Sequence, residues 1–242
     1  MAEEKTKVQE SGSAPAGAVM VVGGGIAGIQ ASLDLANSGF FVYLVEKSTA
    51  IGGVMAQLDK TFPTNDCSMC ILSPKLVECG RHLNIQLFTM SEVAALEGEA
   101  GNFTVTVREN PRFIDPAKCI ACGVCAEKCP RKADDEFNAG LAKRKAAYVK
   151  YPQAVPLKYA IDQSRCIYFE PDKKGKTGRC RACEKFCPAE AVDFSQEPRE
   201  HKIQVGSVIL APGFRTFNPA AILLFATADI RTSSPAWSSN AS

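Results

Sequence analysis

The chain of 242 residues is 46% hydrophobic and 22% charged, with a net charge of +2. That balance excludes a chain too polar to bury a core, and it leaves no electrostatic footprint for nucleic acid, so no nucleic-acid partner is expected. Its 11 cysteines are an odd number, which does not suit a complete disulfide framework in a chain this long.

Residues 1–17 are acidic and small polar with no apolar h-region, so they read as a disordered leader rather than a secretory signal. No apolar run approaches the roughly 20 residues that span a bilayer, and direct membrane insertion is not expected. Clustered thiols in such a chain stay reduced and point to metal or redox chemistry in the cytoplasm. From Ala18 the pattern becomes strand, glycine-rich turn, helix, glycine turn and strand. Ile26, Ile29, Leu33 and Ala36 share one face of that helix, and Gly39 sits where a C-cap is expected. Residues 84–89 form a plausible third strand, and 102–110 alternate as a half-buried antiparallel strand does. A cysteine-rich stretch over 112–195 follows, and strand-like character returns over 201–214.

Gly23-x-Gly25-x-x-Gly28 lies between the first strand and the helix, and Glu46 ends the second strand. Gly23 allows the tight turn, Gly25 lets backbone approach a pyrophosphate, and Gly28 lets helix and strand pack closely. The helix N-terminus offers free N–H groups to phosphate, and Glu46 would accept from ribose hydroxyls, which disfavours a 2′-phosphate. A purely structural glycine turn is the bland alternative. Lys47, then Gly52 and Gly53, resemble the extension that follows this acid in FAD-dependent oxidoreductases. Ala211-Pro212-Gly213 resembles their later A-T-G motif, with Pro212 in place of threonine. On that resemblance FAD is favoured over NAD, and the strands at 102–110 and 201–205 would supply part of a β-meander.

Cys119-x2-Cys122-x2-Cys125-x3-Cys129-Pro130 resembles the bacterial ferredoxin run. Cys166, Cys180, Cys183 and Cys187-Pro188 repeat its ending with a long insertion after the first cysteine. The resemblance implies two [4Fe–4S] clusters, because the fourth cysteine of each run ligates the other cluster. Cys119, Cys122, Cys125 and Cys187 would hold one, and Cys166, Cys180, Cys183 and Cys129 the other. Two tetrahedral zinc sites are the structural alternative. Lys173, Lys174, Lys176 and Arg179 in the insertion read as a solvated face or as a docking surface for an acidic redox partner.

Cys67, Cys70 and Cys79 form a third group. Three thiolates are one short of a cubane, so a further cluster needs another ligand, such as Asp66 or a partner's residue. A redox-active Cys67/Cys70 disulfide and plain structural cysteines are the other readings, and for Cys79 the buried structural role is the expectation.

The Rossmann start, residues 52–75 around Cys67, the cysteine runs and the connection at 139–166 together resemble the A subunit of heterodisulfide reductase. The A subunit of the quinone-interacting membrane-bound oxidoreductase complex is similar but matches less well. The resemblance implies an FAD- and iron–sulfur-dependent oxidoreductase subunit, bifurcating electrons in methanogens. It also implies other subunits of that complex and ferredoxin, hydrogenase or dehydrogenase donors as partners. The implied fold is an α/β FAD-binding Rossmann-type domain, incomplete at its C-terminus, with an inserted α+β ferredoxin domain. Its parts are 18–111, the insert 112–195 and return strands 196–218. Residues 219–242 are Ala/Ser-rich and lack a continuing βα pattern. With chosen synonymous codons, 228–241 read two bases later spell R-H-P-N-V-V-T-S-L-E-F-E-R, which resembles the family's continuation. A frameshifted, truncating tail is therefore expected.

Overall fold

The computed structural model describes residues 17–173 and 175–214. The expected leader up to residue 16, the tail at 219–242 expected to be frameshifted and Lys174 lie outside the described residues.

In chain order the elements are β1 (Ala18–Val22), α1 (Ile26–Asn37), β2 (Phe41–Glu46), a 3-10 turn at Gly53–Gln57, and α2 (Ser68–Arg81). Then come β3 (Ile85–Thr89), β4 (Ser91–Glu99), β5 (Asn102–Glu109), α3 (Val124–Glu127) and β6 (Lys132–Asp134). The remainder are β7 (Lys143–Lys145), β8 (Ala147–Tyr148), β9 (Ala160–Ile161), α4 (Ala182–Lys185), β10 (Arg199–Val205) and β11 (Ser207–Leu210).

β11, β1, β2 and β3 form a parallel sheet in that order. A parallel sheet needs both faces covered, which is why β1 and β2 read as continuous apolar runs. One face takes Ile29, Leu33 and Ala36 of α1 with Leu72, Leu76 and Cys79 of α2, all buried against Val21, Val42 and Leu44. The other face presents Met20 and Val45 to Val105 and Val107 of β5 and Ile203 and Val205 of β10. Those strands belong to an antiparallel sheet in the order β10-β5-β4, the meander expected from the alternation at 102–110. The first helix ends as its sequence asked: Gly39 takes φ +93° and its N–H returns to Ala36 O at 3.1 Å.

The long cysteine-rich segment leaves β5 and rejoins at β10. Its own small core gathers Phe113, Ile114, Ala147, Ile161, Val192 and Phe194 around buried Cys119, Cys125 and Cys183. The architecture is thus an α/β Rossmann-type unit with an inserted ferredoxin-like unit. No helix among the described residues is long and apolar enough to cross a membrane.

Candidate cofactor sites

β1 and β11 lie side by side with their carboxyl ends together, and the chain departs from β1 toward β2 and β3 on its other side. Open α/β sheets bind ligands at such a switch point. The glycine loop is built there by close contact. Gly23 has φ +111°, its N–H donates to Val45 O at 2.8 Å, and a Cβ on it would stand 2.1 Å from Ala211 O. A Cβ on Gly28 would stand 1.8 Å from Gly23 O. At Gly25, by contrast, a Cβ would meet nothing within 4 Å, so the space in front of the helix N-terminus is open. Ala211-Pro212-Gly213 therefore packs on the loop itself, with the Ala211 N–H donating to Val22 O at 2.8 Å and Gly213 at φ +72°.

The half-buried Glu46 carboxylate accepts the Gly24 N–H at 2.7 Å on one oxygen and the Ser48 N–H at 2.8 Å on the other. Each oxygen keeps a lone pair for a further donor. Gly52 (φ +125°) and Gly53 close over the loop: the Gly52 N–H donates to Gly24 O at 2.7 Å, and a Cβ on Gly53 would lie 2.8 Å from the Gly25 Cα. Lys47 is exposed and lines a cleft of about 810 Å³ shared with the cysteine-rich segment.

Several residues that sequence reasoning did not single out join the two units. Arg112 is 7% exposed and donates to Thr49 O at 2.8 Å, Thr89 Oγ1 at 2.7 Å and Lys158 O at 3.2 Å. Burial pulls its guanidinium pKa down, and the nearby Tyr148, Glu109 and Cys119 oppose that. Lys150 Nζ donates to Ser48 Oγ at 2.7 Å; burial lowers its pKa and the Glu46 charge opposes this. The Tyr151 hydroxyl donates to Ile51 O, and its ring stacks on Phe137 at 5.0 Å. Lys150 and Tyr151 lie in the Lys/Arg-rich, proline-bearing connection and Arg112 ahead of the first cysteine run, and no motif or spacing marks any of the three.

The eight cysteines of the two runs surround two small cavities, four to each. Cys119, Cys122, Cys125 and Cys187 line one; Cys129, Cys166, Cys180 and Cys183 line the other. The runs thus exchange their fourth cysteines in space, and Cys166 reaches its cavity despite the insertion. α3 and α4 occupy equivalent places, with Cys125 and Cys183 each the second residue of its short helix. Burial pushes both of these thiols up to about 12, and it also raises that of Cys166. Among the described residues no three His, Cys, Asp or Glu side chains could hold a single metal ion. Four thiols to each cavity match the four cysteine ligands of a cubane. In the insertion, Arg179 lies 3.7 Å from Glu170.

The third cysteine group separates. Cys67 is the N-cap of α2 and its sulfur accepts the Cys70 N–H at 3.2 Å; both residues are exposed. Hydrogen bonds from Cys70, side chain first and then backbone, lower the Cys67 pKa, and Cys70 is raised as the donor. Cys79 lies in the last turns of the same helix, 1% exposed, its thiol pushed up to about 12 by burial and then by Glu78. Twelve residues of helix separate it from Cys67 by about 18 Å. Cys79 thus lies in the core, as its structural reading has it, while Cys67 and Cys70 stay together at the exposed start of the helix.

Comparison with known proteins agrees with this geometry. Residues 18–67 match a family model for FAD dependent oxidoreductases, and 112–134 match one for a 4Fe-4S binding domain. The chain is 49% identical over 199 residues to the iron-sulfur A subunit of CoB–CoM heterodisulfide reductase from Methanocaldococcus jannaschii, covering 82% of this chain and 29% of that protein. It is 49% identical over 204 residues to the first iron-sulfur A subunit of the same enzyme from Methanopyrus kandleri, covering 84% and 29%. It is also 48% identical over 223 residues to a protein of Archaeoglobus profundus that is named as like the heterodisulfide reductase A subunit, covering 86% and 32%. The chain spans about a third of the length of these relatives. Across the glycine loop and the cysteine runs, the chain is a homologue of the heterodisulfide reductase A subunit.

Proposed function

We propose that the chain belongs to a flavin- and iron–sulfur-dependent oxidoreductase subunit that transfers electrons within a heterodisulfide-reductase-like complex in the cytoplasm. Its partners are the other subunits of that complex and ferredoxin, hydrogenase or dehydrogenase donors. The observation that carries this reading is a pair of four-cysteine cavities in the same chain as a dinucleotide-type glycine loop. In this reading 18–111 and 196–218 make the FAD-binding domain and 112–195 the ferredoxin domain.

The residues present fit both groups. Open space at Gly25, with Gly23 and Gly28 crowded by backbone, leaves one approach for a pyrophosphate at the N-terminus of α1. Glu46 holds its carboxylate ready for ribose hydroxyls. Gly52 and Gly53 let the neighbouring loop close on the same point, with Gly213 following the Ala211 contact; Lys150 sets positive charge near Glu46, and Lys47 follows that acid in the chain. Cys119, Cys122, Cys125 and Cys187 would ligate one [4Fe–4S] cluster, and Cys129, Cys166, Cys180 and Cys183 the other. When bound, a flavin exchanges one or two electrons and each cluster exchanges one. Arg112, Lys150 and Tyr151 tie the cysteine-rich segment to residues 48–51, the loop that follows Glu46.

Anaerobically purified protein tests the reading. It requires flavin near stoichiometry and about eight irons per chain, four for each cubane. Iron without flavin would mean an electron-wiring module with a vestigial nucleotide site. Absence of both overturns the proposal.

Cys67 and Cys70 support a second redox element, because the two thiols are exposed and already hydrogen-bonded at a helix N-terminus. The Cys67→Ser variant separates its forms. Loss of disulfide reduction with iron unchanged identifies a thiol pair, and loss of iron identifies ligands of a further cluster completed by other residues.

A further inference from the structure

The two cysteine cavities repeat each other closely, which makes their one difference in charged lining informative. Each has a lysine ammonium on a cysteine carbonyl: Lys158 Nζ donates to Cys119 O at 2.5 Å, and Lys145 Nζ to Cys129 O at 2.6 Å. These two contacts balance. The positions two residues after the run-ending cysteines do not. Cys187-Pro188 is followed by Ala189, which lines the first cavity; Cys129-Pro130 is followed by Arg131, which lines the second. No charged side chain lines the first cavity, whose one polar neighbour other than thiols is Tyr159. Arg112 lines neither.

Arg131 is also unusual in itself. One of its terminal nitrogens pairs with Glu170, yet its Nε is buried with no hydrogen-bond partner. A buried guanidinium N–H without an acceptor is costly, and such groups call for a missing partner. Nothing among the described residues supplies that acceptor, while four thiols line the cavity beside it.

Resting on the cluster reading above, we propose that Arg131 Nε–H is a hydrogen-bond donor to the cluster held by Cys129, Cys166, Cys180 and Cys183. It thereby places that cluster at a higher reduction potential than the one held by Cys119, Cys122, Cys125 and Cys187. The physical ground is charge. Reduction adds one electron to a cluster and makes it more negative, so a cation and an N–H donor favour the reduced form. The Arg131/Ala189 difference then gives the pair a direction: an electron arriving at the first cluster falls to the second.

The test is an EPR-monitored redox titration of the whole chain, with iron and labile sulfide counted in every sample. Wild-type protein shows two midpoints, and the higher is the one lost in Cys183→Ala. Arg131→Ala, which reproduces the Ala189 environment, lowers that midpoint by about tenfold in the reduction equilibrium, about 59 mV for one electron, and leaves the other in place. Unchanged midpoints with full iron overturn the inference, as does a higher midpoint belonging to the first cluster. If Arg131→Ala loads only half the iron, Arg131→Lys gives the answer, since it keeps the charge and removes the Nε donor. A lowered upper midpoint in that variant supports the inference, and an unmoved one overturns it. A wild-type chain that binds no cubane iron would instead refute the underlying cluster reading.

Discussion

Replacing Arg112 with methionine removes the buried side chain that ties three separate stretches together: the loop after β2, the end of β3 and the connection at Lys158. Methionine fills much of the same volume, so the loss is mainly polar. Bonds from a charged donor contribute about 1.5–3 kcal/mol each, and three acceptors lose theirs. Against this, the guanidinium is almost wholly removed from water with no carboxylate bonded to it, and that desolvation cost disappears with the charge. The balance leaves a destabilisation of about 3–4 kcal/mol, a large part of a typical total of about 5–15 kcal/mol. Urea unfolding of cluster-loaded protein under argon, followed by far-UV circular dichroism, measures it. Arg112→Lys reaches fewer of the three acceptors and recovers only part of the loss. A methionine variant within about 0.5 kcal/mol of wild type would show that these contacts do not hold the two units together.

Gly28→Val places a side chain where even a Cβ would stand 1.8 Å from Gly23 O, so flavin content falls to background while iron content stays at the wild-type level; equal flavin retention would refute the glycine-loop assignment. The buried Cys125 and Cys183 thiols, pushed up to about 12, carry protons at neutral pH and must release them to bind iron. Chemical reconstitution of the apo-chain is therefore faster and more complete at pH 8.5 than at pH 6.5, with proton release detectable in weak buffer. In cluster-loaded protein, iodoacetamide at pH 7.5 modifies Cys67 well before Cys79, because one is an exposed helix cap and the other is buried in the core. Peptide mapping that finds Cys79 alkylated at a comparable rate would contradict its place there.

Much of this arrangement is readable in the chain because it depends on local requirements. Gly23 answers to its positive φ, Gly28 to the Gly23 carbonyl in the same turn, Gly39 to a helix end, and the cysteine spacing to a single small helix in each run. The alternation at 102–110 likewise identifies its strand without help from elsewhere. What the sequence hides is long-range or locally contradictory. Pro74 interrupts the pattern of α2 but is accommodated inside it, so the helix escapes a reading based on breakers. β4 has no alternation to betray it, since a bulge between Val93 and Ala95 shifts its register midway. Cys79 is near Cys67 and Cys70 in sequence and far from them along a helix. Arg112, Lys150 and Tyr151 act across separations that no spacing rule covers, and the orphaned Nε of Arg131 is visible only once its neighbours are in place.

The central claim is that the two cysteine runs exchange their last ligands, and iron counts in variants at Cys187 test it most directly. Cys187→Ala is predicted to halve the iron, from about eight to about four. Adding Cys122→Ala removes no more, because both ligate the same cluster, whereas adding Cys183→Ala removes the remainder. The opposite pattern, in which Cys187→Ala and Cys183→Ala together cost no more iron than either alone, would show that each run binds its own cluster and would contradict the account.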